Sequence, residues 1–180
     1  MTIEPRAFRD AVGRFATGVT VISVGDDHEV HGMTANAFTA LSLAPPLVLV
    51  CIAKPARLVE YLERRGSFTV NLLRADQTAL SRFFAGAWDD PQRPPFRFVP
   101  SAQGPRLEGA LGAIGCRVER QLDGGDHWIV IGRVESLHQG LEPLHPLLFY
   151  RGTYHELKPA DGPGEPDLGI GEGPQVFYDW

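Results

Sequence analysis

The chain contains no apolar run approaching the ~18 residues that a membrane-spanning helix requires, so no transmembrane segment is expected. Its first ten residues, MTIEPRAFRD, carry charges where a secretory leader needs an apolar core, so no leader is expected either. Cysteine is scarce: Cys51 and Cys116 lie in apolar, strand-like segments without CxxC or Cys/His spacing. They read as small core residues of a reducing, cytoplasmic compartment rather than as a disulfide or a metal site. His28 and His31 fall in HEVH, one residue short of HExxH and on a hairpin, so no metal is expected there. No GxGxxG follows a strand, and Gly169, Gly171 and Gly173 have the wrong spacing, which argues against a Rossmann fold. Internal repeats are absent.

An excess of positive charge is missing too. All 17 Lys and Arg lie in residues 1–158, together with 17 of the 22 Asp and Glu, so that body is formally neutral. The net charge of −5 belongs to Asp161, Glu165, Asp167, Glu172 and Asp179. Without a basic face, nucleic acid is not an expected partner. One local exception stands out: from Lys54 to Arg74 there are five cations and two acids, enough to favour a small phosphorylated ligand.

What is present reads as one domain over 1–158, long enough for a sizeable core, and an acidic tail over 159–180. The tail holds four prolines and five glycines yet ends in Phe177, Tyr178 and Trp180, so it is expected to dock, against the loop 86–106 or a second subunit. Residues 4–16 pattern as an amphipathic helix with Phe8, Ala11, Val12 and Phe15 on one face, stopped by Gly18. Strands are predicted at 19–24, 30–34, 47–53, 67–73, 110–121, 127–137 and 147–157, with turns at Gly25-Asp26-Asp27 and Asp123-Gly124-Gly125. Short helices are predicted over 57–64, ended by Gly66, and from an Asp76 cap through Phe84. The segment 86–106, with five prolines, reads as a long irregular loop. Strands joined by hairpins, with few helices outside, favour a closed antiparallel barrel.

The stretch Gly32–Arg57, GMTANAFTALSLAPPLVLVCIAKPAR, is the densest in chemistry. Thr34, Ala35, Asn36 and Ala37 are small enough to let backbone N–H and C=O groups approach a flat polar ring, and Asn36 adds an amide with both donor and acceptor capacity. The same run also suits a plain β-turn. Ser42 is a weaker candidate, its hydroxyl equally suited to a local backbone cap. A basic turn follows, in which Arg57 at a helix start suits a phosphate or simply solvent.

TGVTVIS, GMTANAFTALSLAPPLVLVCI, SFTVNLL, GDHWIVIGRV and FYRGTYHEL resemble, in order, the motifs of the flavin reductase family, and the resemblance covers roughly residues 6–157. It implies a mainly β fold, an antiparallel Greek-key split β-barrel with a few flanking helices. It also implies a homodimer with flavin near the subunit interface, reduced by NAD(P)H and released to a partner monooxygenase. FAD with NADH is the expected pair, with FMN and NADPH as alternatives, since no adjacent basic pair marks a 2′-phosphate site. By this resemblance Thr34 to Ala37 cradle the ring and the backbone of Cys51, Ile52 and Ala53 runs along the flavin tail. Lys54, Ala56 and Arg57 resemble the phosphate-binding turn, although Ala37 and Ala56 stand where many relatives carry hydroxyls. Phe83, Phe84, Ala85 and Gly86 resemble the edge of the flavin site, with core packing equally open for both phenylalanines. His127 is placed beside the nicotinamide, with Tyr150, Arg151, Gly152, Thr153 and Tyr154 completing that side: Arg151 for a phosphate, Tyr154 for stacking. Hydride transfer needs no acid or base on the protein, so no catalytic residue is assigned, and His127 is expected only to position the nicotinamide. A tight FMN enzyme acting on a bound substrate, or a non-catalytic flavin- or haem-binding module, remain as alternatives.

Overall fold

The computed structural model describes residues 2–26, 28–140 and 145–157. The expected tail and its docking lie outside the described residues. In chain order the elements are α1 (Pro5–Val12), β1 (Thr17–Gly18), β2 (Thr20–Gly25), β3 (Val30–Ala35), β4 (Phe38–Leu43) and β5 (Pro46–Ala53). Then follow α2 (Leu58–Arg65), β6 (Ser67–Leu72), a 3-10 turn (Ala75–Gln77), α3 (Thr78–Phe84), β7 (Phe98–Val99) and β8 (Arg106–Leu107). The hairpins β9 (Gly112–Gly124) with β10 (His127–Gln139), and β11 (Leu147–Tyr150) with β12 (Thr153–Glu156), close the chain. None of the helices among the described residues is long and apolar enough to cross a membrane.

Seven strands form one antiparallel ladder in the order β3-β2-β6-β9-β10-β5-β4. Strands β6, β9 and β10 run side by side, and β5, which precedes them, returns beside β10, the Greek-key arrangement. The ladder is open between β3 and β4, so its closure is not a hydrogen-bonded one. These two edges are nevertheless joined by only Asn36 and Ala37, and three peptide steps span at most ~11 Å. The sheet must therefore curl until its two edges meet at that link. A second, three-stranded sheet, β1-β11-β12, and the small pair β7-β8 flank the barrel.

The alternation along β5 shows which way it faces. Val48, Val50 and Ile52 are buried, while Leu47, Leu49, Cys51 and Ala53 lie on the opposite, half-buried face. The inner side chains join Ile22, Val24, Phe68, Val70, Cys116 and Val130 in the main core. Helix α2 covers one end of it through Leu58, Tyr61 and Leu62, and Gly66 ends that helix with φ of 66°, the left-handed cap anticipated from sequence.

Several predicted elements differ. The first helix stops at Val12 rather than running to 16, with Gly13 as its cap, and Gly18 belongs to β1. None of its residues is buried: Phe8 and Val12 are 57% and 52% exposed. Residues 147–157 are a hairpin rather than one strand, because Arg151 (φ 50°) and Gly152 (φ 81°) form a tight turn with both central residues left-handed. Asp76 does not cap α3; it lies in the 3-10 turn and pairs with Arg74 at 2.6 Å. The segment 86–106 is irregular up to the short β7–β8 pair, and it is anchored. Ser23 Oγ donates to the Pro105 carbonyl (2.5 Å) and Thr69 Oγ1 to that of Gly104 (2.8 Å).

Asn71 is the centre of that anchor. Fully buried, it donates to the Val21 carbonyl (2.8 Å) and Ser23 Oγ (2.9 Å) and accepts the Leu107 amide (2.6 Å). Asn71→Ala strands a buried donor and two acceptors, and the expected loss is at least ~3 kcal/mol. Chemical denaturation should show it, together with faster proteolysis within 98–107; an unchanged midpoint would contradict the anchor.

Candidate active site

The link Asn36–Ala37 is where the expected ring cradle falls. As edge strands, β3 and β4 each leave one row of backbone donors and acceptors outside the ladder, and the two rows face the opening. Contacts on either side fix the link. Thr20 Oγ1 donates to the Ala35 carbonyl (2.7 Å), Asn36 Nδ2 to Thr17 Oγ1 (3.3 Å), and the Cys51 amide to the Ala37 carbonyl (3.0 Å). Asn36 and Ala37 are exposed, whereas Ala35 is buried. A cavity of about 300 Å³ opens beside the link, with Thr20 and Asn36 as its polar lining and Phe38, Leu72, Leu111 and Leu147 among its apolar walls.

The next strand carries the site outward. Cys51 faces the outer side opposite Ile129, Ala53 pairs with His127, and Ile52 is wholly in the core, leaving only its backbone for a ligand. Ala37 in the link, Cys51 and Ala53 on β5 and His127 on β10 thus form a continuous path. Cys116 is buried and its thiol is pushed up to about 12 by burial, which removes it from thiolate chemistry; both cysteines are free. Ser42 sits beside a bulge on β4, paired with Leu47, away from this path.

The basic turn divides into two unlike cations. Lys54 is engaged: its Nζ pairs with Asp123 Oδ2 at 2.5 Å and lies 4.9 Å from the Trp128 ring centre. The Lys54 hydrogen bond holds the Asp123 carboxyl below the usual range. Arg57 is exposed and makes no ion pair among the described residues. Ala56 packs against the main core, so a small apolar residue there serves the interior.

His127 begins β10 with its Nδ1 2.7 Å from the Asp126 carboxylate, and that hydrogen bond lowers the Asp126 pKa. The pairing leaves Nε2 as the free ring atom. Asp126 was not singled out from sequence, although its place before His127 in GDH was visible. Another missed group is His31, stacked on Tyr61 at 4.9 Å, with Arg64 over the same ring and the Tyr61 hydroxyl donating to Glu29 (2.5 Å). Burial lowers the His31 pKa, and the nearby Arg57 adds to it. Among the described residues no group of three or more His, Cys, Asp or Glu is arranged to hold a metal.

The remaining candidates group elsewhere. Phe84 packs with Phe83, Phe96 and Phe98, so its ring is core, while Ala85 and Gly86 are exposed at the end of α3. Tyr150, Arg151, Gly152 and Thr153 are exposed on the β11–β12 turn, with the Arg151 amide donating to the Gly13 carbonyl (2.9 Å). Tyr154 is half-buried against Phe149. This hairpin reaches the link through β1, where Thr17 pairs with Phe149.

Residues 12–158 match the family model described as "Flavin reductase like domain". The chain belongs to the flavin reductase family. It is 43% identical over 159 residues to an "NADH-dependent flavin reductase" of a Rhodococcus species, covering 87% of this chain and 88% of that one. It is 42% identical over 151 residues to the "4-hydroxyphenylacetate 3-monooxygenase, reductase component" of Thermus thermophilus, covering 84% and 95%. Among solved structures, the flavin reductase PheA2 superposes with a TM-score of 0.81 at 41% identity, covering 87% of this chain and all of that one. The family's split-barrel fold is the architecture found here.

Proposed function

We propose that this chain is an NADH-dependent flavin reductase of the cytoplasm that reduces FAD, with FMN as the alternative, and passes the reduced flavin to a separate monooxygenase. The observation that carries the reading is the continuous path from the unpaired edges at Asn36–Ala37, along β5, to His127. Small side chains leave the backbone accessible to a flat, polar-edged ring, and Arg57 is available for a phosphate at the far end, so the residues fit a flavin. Bound flavin supplies a ring that accepts hydride from a nicotinamide. The chain's own work is placement: edge backbone groups hold the polar rim, and His127, oriented by Asp126, fixes the second ring. Relatives named as reductase components of two-component monooxygenases support the delivery role.

The reading extends to a homodimer. The outer face of β5 and β10 pairs Leu49 with Ile131 and Cys51 with Ile129, and Leu122, 47% exposed, lies beside Ile129 on β9. An apolar sheet face of this kind is unusual for a free surface. It ends at His127, so a second copy seated there would border the site.

Stopped-flow mixing of protein, FAD and NADH should bleach the oxidised flavin band; no bleaching with either flavin and either nicotinamide nucleotide would refute the assignment. His127→Ala should raise the NADH requirement at least several-fold more than the flavin requirement. Arg57→Ala should weaken FMN binding about ten-fold, the scale of one charge-assisted hydrogen bond, and leave riboflavin binding unchanged. Lys54→Ala should change neither by more than about two-fold, since Lys54 already serves Asp123. Sedimentation should give twice 19.7 kDa, and Ile131→Lys should shift the protein to the single-chain mass.

A further inference from the structure

Tyr154 stands in the expected nicotinamide segment, yet its side chain is committed inward. Its ring meets Phe149 edge-on at 5.3 Å, and its hydroxyl lies 2.9 Å from Ser81 Oγ. Ser81, on α3, is fully buried. Its carbonyl accepts two donors: the Ala85 amide of its own helix (3.0 Å) and Thr34 Oγ1 from β3 (2.7 Å). The same helix is pressed onto β3 at Gly32, where a Cβ would lie 2.7 Å from the Phe84 ring. One buried serine therefore ties the cradle strand β3 to the hairpin β11–β12.

We propose that Tyr154 and Ser81 are positioning residues that set Thr34, and with it the flavin cradle, rather than Tyr154 being a stacking platform for a nucleotide ring. The inference rests on the flavin reading above. Stacking on a ligand would require Tyr154 to leave Phe149 and give up its bond to a buried hydroxyl. With its hydroxyl spent on Ser81, Thr34 presents its backbone to the cradle, and that backbone is placed by the bond to α3. Loss of the Tyr154 hydroxyl frees Ser81 to turn and loosens α3 against both sheets.

The test compares FAD affinity, read by fluorescence quenching, with the KM for NADH at saturating FAD. Tyr154→Phe keeps the ring and its packing. It should raise the FAD Kd about five-fold, the scale of one neutral hydrogen bond, and leave the NADH KM within about two-fold. Thr34→Val should act alike, Thr34→Ser should restore wild-type affinity, and the double variant should bind no worse than about the weaker single one. A Tyr154→Phe protein with raised NADH KM and unchanged FAD Kd overturns the proposal in favour of a direct contact between the Tyr154 hydroxyl and the nicotinamide nucleotide. Multiplied effects in the double variant overturn the linkage. Wild-type protein that does not quench FAD overturns the flavin reading itself, whereas quenching that is indifferent to Tyr154→Phe overturns this inference alone.

Discussion

Two residues, Asn36 and Ala37, join the opposite edges of a seven-stranded sheet, and much of the molecule follows from that constraint. A flat sheet of seven strands is roughly 29 Å across at the usual strand spacing, far beyond the reach of the link, so the ladder has to curl. The link brings the edges together without pairing them, which leaves two facing rows of unsatisfied backbone groups. Such rows demand a partner: water, another chain or a polar ligand. The hydrogen bonds Thr20–Ala35, Asn36–Thr17 and Cys51–Ala37 anchor the link on both sides. Larger side chains at 35–37 would occupy the space the backbone needs, which gives the small-residue run a physical purpose.

The same economy explains the departures at Ala37 and Ala56. A hydroxyl at 37 would add one side-chain donor beside backbone groups that already line the opening. A hydroxyl at 56 would sit where the side chain packs on the core. On the proposed reading the chain relies on backbone groups and on Arg57. The positive potential counted between Lys54 and Arg74 is smaller than it looks, because Lys54 is matched by Asp123, Arg74 by Asp76 and Arg65 by Asp26.

Legibility in the sequence followed the range of the interactions. The β5 strand, the β9–β10 hairpin and the Gly66 stop are local signals, and each was readable. Strand β4 was not: no strand was predicted over FTALSL, whose small and polar residues become a strand by pairing with β5. The last hairpin was hidden because an arginine, not an asparagine or glycine, takes the first left-handed position of its turn. Candidate positions such as Asn36 and His127 stood out by residue type. Their partners Thr17 and Asp126 did not, since their roles are relations across the fold rather than properties of the residues.

The placement of His127 bears on how such a site excludes water. It closes the row Leu49, Cys51, Ile129 and Ile131 on the outer sheet face, while the Arg151 turn is anchored on Gly13, across the link from it. Within one chain, then, the two segments expected to meet a nicotinamide belong to different elements, and the His127 side chain is partly exposed. In the proposed homodimer, apolar burial on that outer face would cover that side chain and lower the local dielectric, strengthening the Asp126–His127 contact that orients the imidazole. A reaction that needs no proton donor from the protein gains more from such exclusion than from any added acid or base. In the proposed reading, closure at Asn36–Ala37 forms the cradle, and association on the adjoining face would complete it.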